Sequence, residues 1–479
     1  MTFWRGTVDS LTSVGTRWLP FADAATKELP LGRLLRLGLF QATVGMAMAL
    51  LAGTVNRVMI VELTVAAGIV GVMLMLPMVS APLRALIGHR SDQLHSAFGW
   101  RRVPFLWFGT LLQFGGLAIL PFGILLLSEA TTPGLQFAAT TGSALAFLLV
   151  GLGAHTVQTA GLALASDLST PEQKGRVVAF LYLMLLAGTL VSALVFGFLL
   201  QDYNHVLLIK VIQGSAVVTV VLNGIALWKQ EPRDARRAAE GPAEHRPFAE
   251  AWRDFVSGGR ASRLLVAVGL GSAGFGMQDV LLEPYGGEIM AMAVGDTSLL
   301  TAVAASGAIV AFAISARALS RGFDAVRLAG IGCLIGVAAF VAIIFAAPLN
   351  SVPLLMTGGT LIGFGGGFFT VGTLIEAMRL DESEHNGLAV GAWGAVYASA
   401  AGLALAGGAL LRDLVLQAGE AGLLGPALVG AEAGYSIVYH LEIAALFLAL
   451  VALGPLASAT WSAKAGGFSG RFGLSELPG

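Results

Sequence analysis

A group of polar side chains interrupts one of the long apolar runs in the second half of the chain: Gln278, Asp279, Glu283 and Tyr285. Asp279 and Glu283 are four residues apart, so both carboxylates lie on one face if the run is a regular helix. Two carboxylates this close repel each other, so one is protonated or a cation matches them. Arg57, at the end of the first apolar run, is the most available cation, and we predict that it pairs with Asp279 or Glu283.

Three roles are open for this charged group. The ion pair can close the external side of the protein, it can be a static link between two halves, or a carboxylate can carry a proton in a transporter. The sequence contains no GxxxxGK[ST], no HExxH and no CxxC motif. Its single cysteine, Cys333, excludes an internal disulfide and a thiolate metal cluster. We therefore predict no enzymatic activity, no catalytic residues and no direct metal site.

The segments that carry these residues are apolar enough to cross a membrane. Hydrophobic residues make up 56% of the 479 residues and charged residues 12%, whereas a soluble domain carries about 25% charged residues. A hydrocarbon core of about 30 Å needs about 20 apolar residues in a helix. The chain is therefore predicted to be an all-α integral membrane protein with twelve transmembrane helices. These lie near 33–55, 64–86, 103–127, 136–158, 177–200, 207–228, 264–287, 297–315, 327–347, 353–377, 388–411 and 435–457.

The positive charges predict the orientation of these helices. If the N-terminus is cytoplasmic, all but three of the 28 lysines and arginines lie on the cytoplasmic side, the exceptions being Arg57, Lys210 and Arg412. Cytoplasmic loops carry the excess of positive charge in membrane proteins, so both termini are predicted to be cytoplasmic. The net charge of −1 gives no reason to expect a nucleic-acid partner.

A long polar interruption between the sixth and seventh runs divides the chain into two six-helix bundles. The predicted organisation is a cytoplasmic, interfacial N-terminal segment at 1–32, a bundle at 33–228, a cytoplasmic linker at 229–263, a second bundle at 264–457 and a cytoplasmic tail at 458–479.

The loop between the second and third runs carries a recognisable motif. Gly88 and Asp92 are followed by Gly99 and the basic pair Arg101 and Arg102. This pattern resembles the loop motif of the major facilitator superfamily, with an insertion between the aspartate and the second glycine. In it Gly88 permits a tight helix exit, and Asp92 can cap a neighbouring helix or pair with a basic residue. A fainter echo at 320–327 in the second half fits two related six-helix halves.

A narrower resemblance covers nearly the whole chain. It rests on the stretches WLPFADA at 18–24, ELPLGRLLR at 28–36, NRVMIVEL at 56–63, GWRRVP at 99–104, ASDL at 165–168 and GMQDVLLEPYG at 276–286. These stretches resemble the bacteriochlorophyll-delivery (PucC/LhaA) family of the major facilitator superfamily. The overall length and the N-terminal stretches favour the LhaA side of this family, which serves light-harvesting complex 1.

The resemblance implies a non-enzymatic protein that binds bacteriochlorophyll and aids its insertion into α and β antenna polypeptides. The partners that it implies are the light-harvesting α/β polypeptides, the photosynthetic reaction centre, bacteriochlorophyll synthase and membrane lipid. It also implies that the protein lies in the bacterial inner, intracytoplasmic membrane.

A bound bacteriochlorophyll would need an apolar slot and one axial ligand for its magnesium. Of the seven histidines, only His155 and His440 fall inside the predicted spans, and Gln278 is a further candidate ligand. Each of these residues is also compatible with a hydrogen-bonded packing role. The pigment can alternatively be held on the lipid-facing surface by Phe and Trp contacts.

Two other functions compete with antenna assembly. One is a proton-coupled secondary transporter with Asp279 or Glu283 as the coupling group, and the other is a pigment flippase. A transporter needs a polar path lined from both halves, and the small number of mid-span charges favours the assembly role.

Overall fold

The computed structural model describes residues 29–79, 100, 102–129, 132–169, 174–231, 259–379, 386–425 and 428–462. Over these residues the chain is helical and forms twelve helices. The first six are α1 (Leu31–Glu62), α2 (Ala67–Val79), α3 (Val103–Glu129), α4 (Pro133–Asp167), α5 (Lys174–Leu199) and α6 (His205–Leu227). The other six are α7 (Gly259–Glu288), α8 (Val294–Ser320), α9 (Ala325–Ala346), α10 (Val352–Arg379), α11 (Asn386–Glu420) and α12 (Ala431–Ser462).

Eleven of these helices are long and apolar enough to span a membrane. The exception, α2, is a shorter apolar helix whose predicted continuation to residue 86 lies outside the described residues. The prediction of an all-α membrane protein with twelve helices is confirmed, and the chain is a multi-pass membrane protein. The cytoplasmic location of the termini stays a prediction. Most of the N-terminal segment, the linker and the tail also lies outside the described residues.

The chain divides into two compact units. The first unit comprises Met1–Leu51 and Pro82–Pro242, and the second comprises Ala52–Ala81 and Ala243–Gly479. The division falls inside α1, between Leu51 and Ala52. The segment bounds predicted from the sequence stay a prediction.

Two helices depart from regular α geometry. In α1, π-helical turns occupy Ala49–Val55 and Val58–Glu62. In α7, an α-helix at Gly259–Gly276 is followed by a 3-10 turn at Met277–Val280 and a short α-helix at Leu282–Glu288. Such interruptions expose backbone groups to other partners and frequently mark functional sites.

The interior of the first unit combines an apolar cluster with a short polar chain. Phe40, Leu164 and Leu181 are buried in the apolar cluster. Across α1, α6 and α3, Asn223 accepts from Thr43 at 2.9 Å and donates to Thr110 at 2.9 Å. These hydrogen bonds pair the polar groups of three buried side chains, for which lipid and apolar neighbours offer no hydrogen-bond partner.

Small residues let helices of the second unit approach closely. A Cβ atom on Gly365 would lie 2.7 Å from the Gly332 carbonyl oxygen, and one on Gly363 would overlap the backbone of Ala304. Larger side chains at these two positions would push α10 away from α9 and α8.

Candidate functional site

The break in α7 lies within the polar stretch that the sequence singles out. At the break, the Gln278 N–H donates to Glu442 Oε1 of α12 at 2.7 Å. The Val280 carbonyl accepts from Asn56 Nδ2 of α1 at 2.9 Å. Glu442 and Asn56 thus replace the intrahelical partners that a regular helix would supply, so the break is held open by side chains from two other helices.

The two predicted carboxylates of α7 lie in different environments. Asp279 is exposed and accepts from the Gln278 side chain. Glu283 is 4% exposed and accepts from Thr301 Oγ1 at 2.5 Å, while its Oε2 has no hydrogen-bond partner in the part of the chain that the structure describes. The prediction that both carboxylates lie on one face assumed a regular helix. Asp279 instead lies within the 3-10 turn at Met277–Val280 and Glu283 in the α-helix that follows, so the two side chains do not share one environment.

Arg57 is buried at 3% exposure and forms an ion pair with Glu62. Its Nη2 also donates to the Met292 carbonyl at 3.0 Å. The guanidinium packs against Gly287, where a Cβ atom would lie 2.9 Å from Nε. Among the described residues, Arg57 is thus paired with Glu62 and not with Asp279 or Glu283. The reason is local, since π-helical turns bring residues five apart into contact.

A second ionic cluster joins the end of α7 to α11 and α12. Arg412, 5% exposed, forms ion pairs with Glu288 and with Asp413, the latter at 2.9 Å. Tyr435 donates to Glu288 Oε2 at 2.7 Å, and its ring centre lies 4.9 Å from the Arg412 guanidinium carbon. Asp413 also accepts from the Gly68 N–H at 2.6 Å. The charge distribution predicts Arg412 near the outer face, but no sequence pattern predicts its partners Glu288 and Tyr435.

Tyr285, the last member of the predicted polar set, belongs to an aromatic cluster. Its ring meets the rings of Tyr435 and Tyr439 edge-on, at centroid distances of 5.4 and 5.5 Å. Its hydroxyl donates to the Ile343 carbonyl at 3.2 Å. These contacts give Tyr285 a packing role between α7, α9 and α12.

The three candidate pigment ligands differ in what their polar atoms already contact. Gln278 is buried, and its amide nitrogen donates to the Phe275 carbonyl and to Asp279. His155 is half-buried in α4, and it too already takes part in an interaction within the protein. His440 is exposed on α12, and its Nδ1 lies 2.7 Å from the Ser436 carbonyl oxygen. Because a carbonyl oxygen only accepts, Nδ1 carries the proton, and Nε2 of the neutral ring keeps its lone pair.

The surface around His440 is apolar. Ala444, Phe447 and Val451 follow it at helical intervals on α12, and all three are exposed. His440 lies nine residues after Ala431, about 13 Å along the helix from its start. Since α12 is a membrane span, this exposed apolar strip faces lipid.

Of the predicted facilitator loop motif, Gly88, Asp92, Gly99 and Arg101 lie outside the described residues. Arg102, the last motif residue, pairs with Asp167 at the end of α4, with Nε 3.1 Å from Oδ2.

The first turn of α3 is capped by a carboxylate from the end of α6. The backbone N–H groups of Arg102 and Val103 donate to Glu231 at 2.9–3.1 Å. A carboxylate at a helix N-terminus satisfies free N–H groups and complements the helix dipole. Glu231 lies in the predicted linker at 229–263, and no local motif indicates this capping role.

The echo of the motif in the second half forms a well-defined helix junction. Gly322 ends α8 with a φ of +84°, a conformation that glycine adopts without strain. Asp324 then caps α9 by accepting the Arg327 N–H at 2.8 Å. These are the glycine and aspartate roles that the sequence predicts for this type of motif.

Comparison with known proteins identifies the family. A family model described as "PUCC protein" matches residues 54–461, which include α7, all but the last residue of α12, and both ionic clusters. The chain belongs to the PucC family. Protein PucC of Rhodovulum sulfidophilum is 53% identical over 413 residues, covering 85% of this chain and 91% of that protein. Protein PucC of Cereibacter sphaeroides is 47% identical over 458 residues, covering 95% and 98%.

The fold of this PucC-family chain is that of facilitator-type transporters, as the motif predicts. A bacterial homologue of the human lysosomal transporter Spinster, in an inward-facing and unoccupied conformation, superposes with a TM-score of 0.66. The superposition covers 92% of this chain and 98% of that one, at 16% sequence identity. At this identity the likeness concerns the fold alone.

Proposed function

We propose that this PucC-family protein is an assembly factor for a bacterial light-harvesting antenna, specifically light-harvesting complex 1. In this proposal it binds bacteriochlorophyll in the inner, intracytoplasmic membrane and aids its insertion into the α and β antenna polypeptides, without turning over a substrate. The reaction centre and bacteriochlorophyll synthase are further proposed partners. Membership of the PucC family and the antenna-factor resemblance of the sequence stretches support this role.

The observation that carries the proposal is the state of His440. The magnesium of a bacteriochlorophyll has an open axial position that accepts one nitrogen lone pair. His440 has its Nδ1 hydrogen bonded to Ser436, which leaves Nε2 as the acceptor nitrogen. The ring lies in an exposed apolar strip, which suits the hydrophobic macrocycle and its tail. The donor type, its protonation and its surroundings therefore fit this group.

A ligand on the lipid-facing surface also suits delivery. An antenna polypeptide with a single membrane helix can approach α12 sideways, and the pigment need not pass through the protein interior. The exposed residues Ala444 and Gly454 on α12 are small, and small residues allow a second helix to pack closely. The exposed face of α12 is the docking site that we propose for the α or β chain.

The test is pigment retention after gentle purification from a pigmented phototrophic host. We expect the parent protein to carry bacteriochlorophyll, seen by near-infrared absorption, with α or β chains identified by mass spectrometry. His440→Leu should lose most of the pigment while its far-ultraviolet circular dichroism stays unchanged, because the residue is exposed. His205→Leu, at an exposed histidine of α6, is the matched control and should keep it. A colourless parent protein would refute pigment binding, and equal retention by both variants would refute the His440 site.

A second candidate function, proton-coupled transport or pigment flipping, is favoured by one observation. Glu283 is a buried residue of the broken membrane helix α7 and keeps one carboxylate oxygen without a hydrogen-bond partner among the described residues. Discontinuous helices with buried carboxylates carry coupling ions in many transporters. Transport that Glu283→Gln abolishes in reconstituted vesicles would support this function.

A further inference from the structure

The first unit contains a cavity of about 600 Å³ between α1, α5 and α6. Its wall is almost entirely apolar and includes Met46, Val191 and Val218. The volume lies in the range of about 300–1,000 Å³ that is usual for small-molecule sites. The cavity therefore has the size and the lining of a site for a hydrophobic chain.

The helix spacing explains why this space is left open. On one side, Gly188 of α5 packs directly on Ala42 of α1, so that a Cβ atom would reach the Ala42 carbonyl oxygen at 2.5 Å. On the other side, a Cβ atom on Gly214 of α6 would meet no atom within 4 Å. Thus α1 and α5 are in close contact, whereas the absence of a side chain at Gly214 keeps the cavity empty along α6.

The cavity opens onto the membrane. Val191 and Val218 in its wall are 58% and 43% exposed, although both lie within membrane spans. Exposed apolar side chains in a span contact lipid, so a lipid chain can enter the cavity from the side. It is a lateral groove, which we call the α5–α6 groove.

One charged side chain, Lys210, lies in the wall of the α5–α6 groove. It is exposed, five residues into α6, and forms no ion pair with the residues that the structure describes. A lysine near the end of a membrane helix extends its ammonium group to the interface. An anionic headgroup placed there would match a charge for which the described residues supply no ion pair.

The length of the groove matches one leaflet. From Lys210 to Leu222 the lining on α6 extends over twelve residues, about 18 Å along the helix, and Leu207 adds one turn beyond Lys210. Half of a hydrocarbon core of about 30 Å is comparable. We propose that the α5–α6 groove binds one acyl chain of an anionic phospholipid of the leaflet that contains Lys210, with the phosphate-bearing headgroup at Lys210. This site is independent of the antenna role.

Native mass spectrometry of the delipidated, full-length protein tests this site, with phosphatidylglycerol and phosphatidylcholine as probes. We expect one phosphatidylglycerol to bind at least tenfold more tightly than phosphatidylcholine. Gly214→Leu should fill the groove and lower this affinity at least tenfold. The matched control is Gly142→Leu in α4, where a new side chain likewise meets no atom within 4 Å. It should bind like the parent protein.

The headgroup is tested by removing the charge. Lys210→Gln should remove the preference for phosphatidylglycerol, while Arg317→Gln, at an exposed arginine of α8, should leave it unchanged. Equal binding by Gly214→Leu and Gly142→Leu would overturn the groove. A preference for phosphatidylglycerol that survives Lys210→Gln would overturn the assignment of the headgroup.

Discussion

Glu442 offers a direct test of how the broken α7 is held. Its carboxylate is fully buried, and its Oε1 accepts the Gln278 N–H at 2.7 Å. Glu442→Ala leaves this N–H without an acceptor, and a buried unsatisfied donor costs about 1–3 kcal/mol. In a domain of about 150–250 residues, a loss of 1 kcal/mol in the free energy of unfolding lowers the melting temperature by about 2–4 °C. We therefore expect the melting temperature of Glu442→Ala to be roughly 2–12 °C below that of the parent protein.

The isosteric change separates the hydrogen bond from the charge. Glu442→Gln keeps one side-chain oxygen that can accept the hydrogen bond from the Gln278 N–H. Its amide nitrogen replaces Oε2, which has no hydrogen-bond partner in the described part of the chain. A neutral amide is also easier to bury than a carboxylate. We therefore expect Glu442→Gln to melt within about 2 °C of the parent protein or above it.

Cys333 provides the assay. It is the single cysteine of the chain, it is buried in α9, and it belongs to the same unit as α7 and α12. A thiol-reactive fluorescent dye therefore reports the unfolding of this unit during heating in detergent. Glu432→Ala, at an exposed carboxylate in the first turn of α12, is the matched control and should not change the melting temperature. If Glu442→Ala melts like the parent protein, or if Glu442→Gln falls as far as Glu442→Ala, the carboxylate does not cap the break.

Two further predictions use the same assay. Arg57→Glu should destabilise the second unit by about 3–5 kcal/mol, since it places an unpaired carboxylate at a position that is 3% exposed. Adding Glu62→Arg should restore part of this loss, whereas adding Glu283→Arg should not. Rescue by Glu283→Arg instead would support the pairing predicted from the sequence. Gly363→Ala should lower the free energy of unfolding by about 1–3 kcal/mol, because its methyl group meets backbone atoms of α8. The control is Gly407→Ala, whose methyl group meets no atom within 4 Å and which should be neutral or stabilising. Equal melting temperatures of the two variants would contradict the close packing.

The helices could be predicted from the sequence because lipid imposes one dominant constraint. A span needs a long apolar run, and such runs are visible without knowledge of any contact. Helix ends were less accurate, as α4 extends from Pro133 to Asp167 while the apolar run suggested 136–158. Its start follows from Thr132, which caps the first turn by accepting the Leu135 N–H, and not from hydropathy.

The site was harder to predict because its partners are far apart in the chain. The α7 break depends on Glu442 and Asn56, which lie 164 and 224 residues from the groups they bind. No local pattern reports such pairs. The Arg57–Glu62 pair is local, but a spacing of five does not bring side chains together on an α-helix, so only the π-helical turns of α1 explain it.

The two candidate functions require their ligand-binding or proton-binding groups in different parts of the protein. A transporter moves its substrate through the interior, and in the second unit the buried Arg57 and Arg412 are already bound to carboxylates. Among the described residues, the buried carboxylate oxygens without a hydrogen-bond partner are those of Glu283, Glu376 and Glu442, and the transport function assigns the coupling role to Glu283. A delivery factor instead needs its ligand where another helix can reach it, and the acceptor nitrogen of His440 is on the exposed face of α12. Delivery therefore predicts that His440→Leu removes pigment while Glu283→Gln keeps it, and transport predicts that Glu283→Gln alone abolishes activity. Pigment that stays bound in His440→Leu would contradict the delivery function. Transport that persists in Glu283→Gln would contradict the transport function.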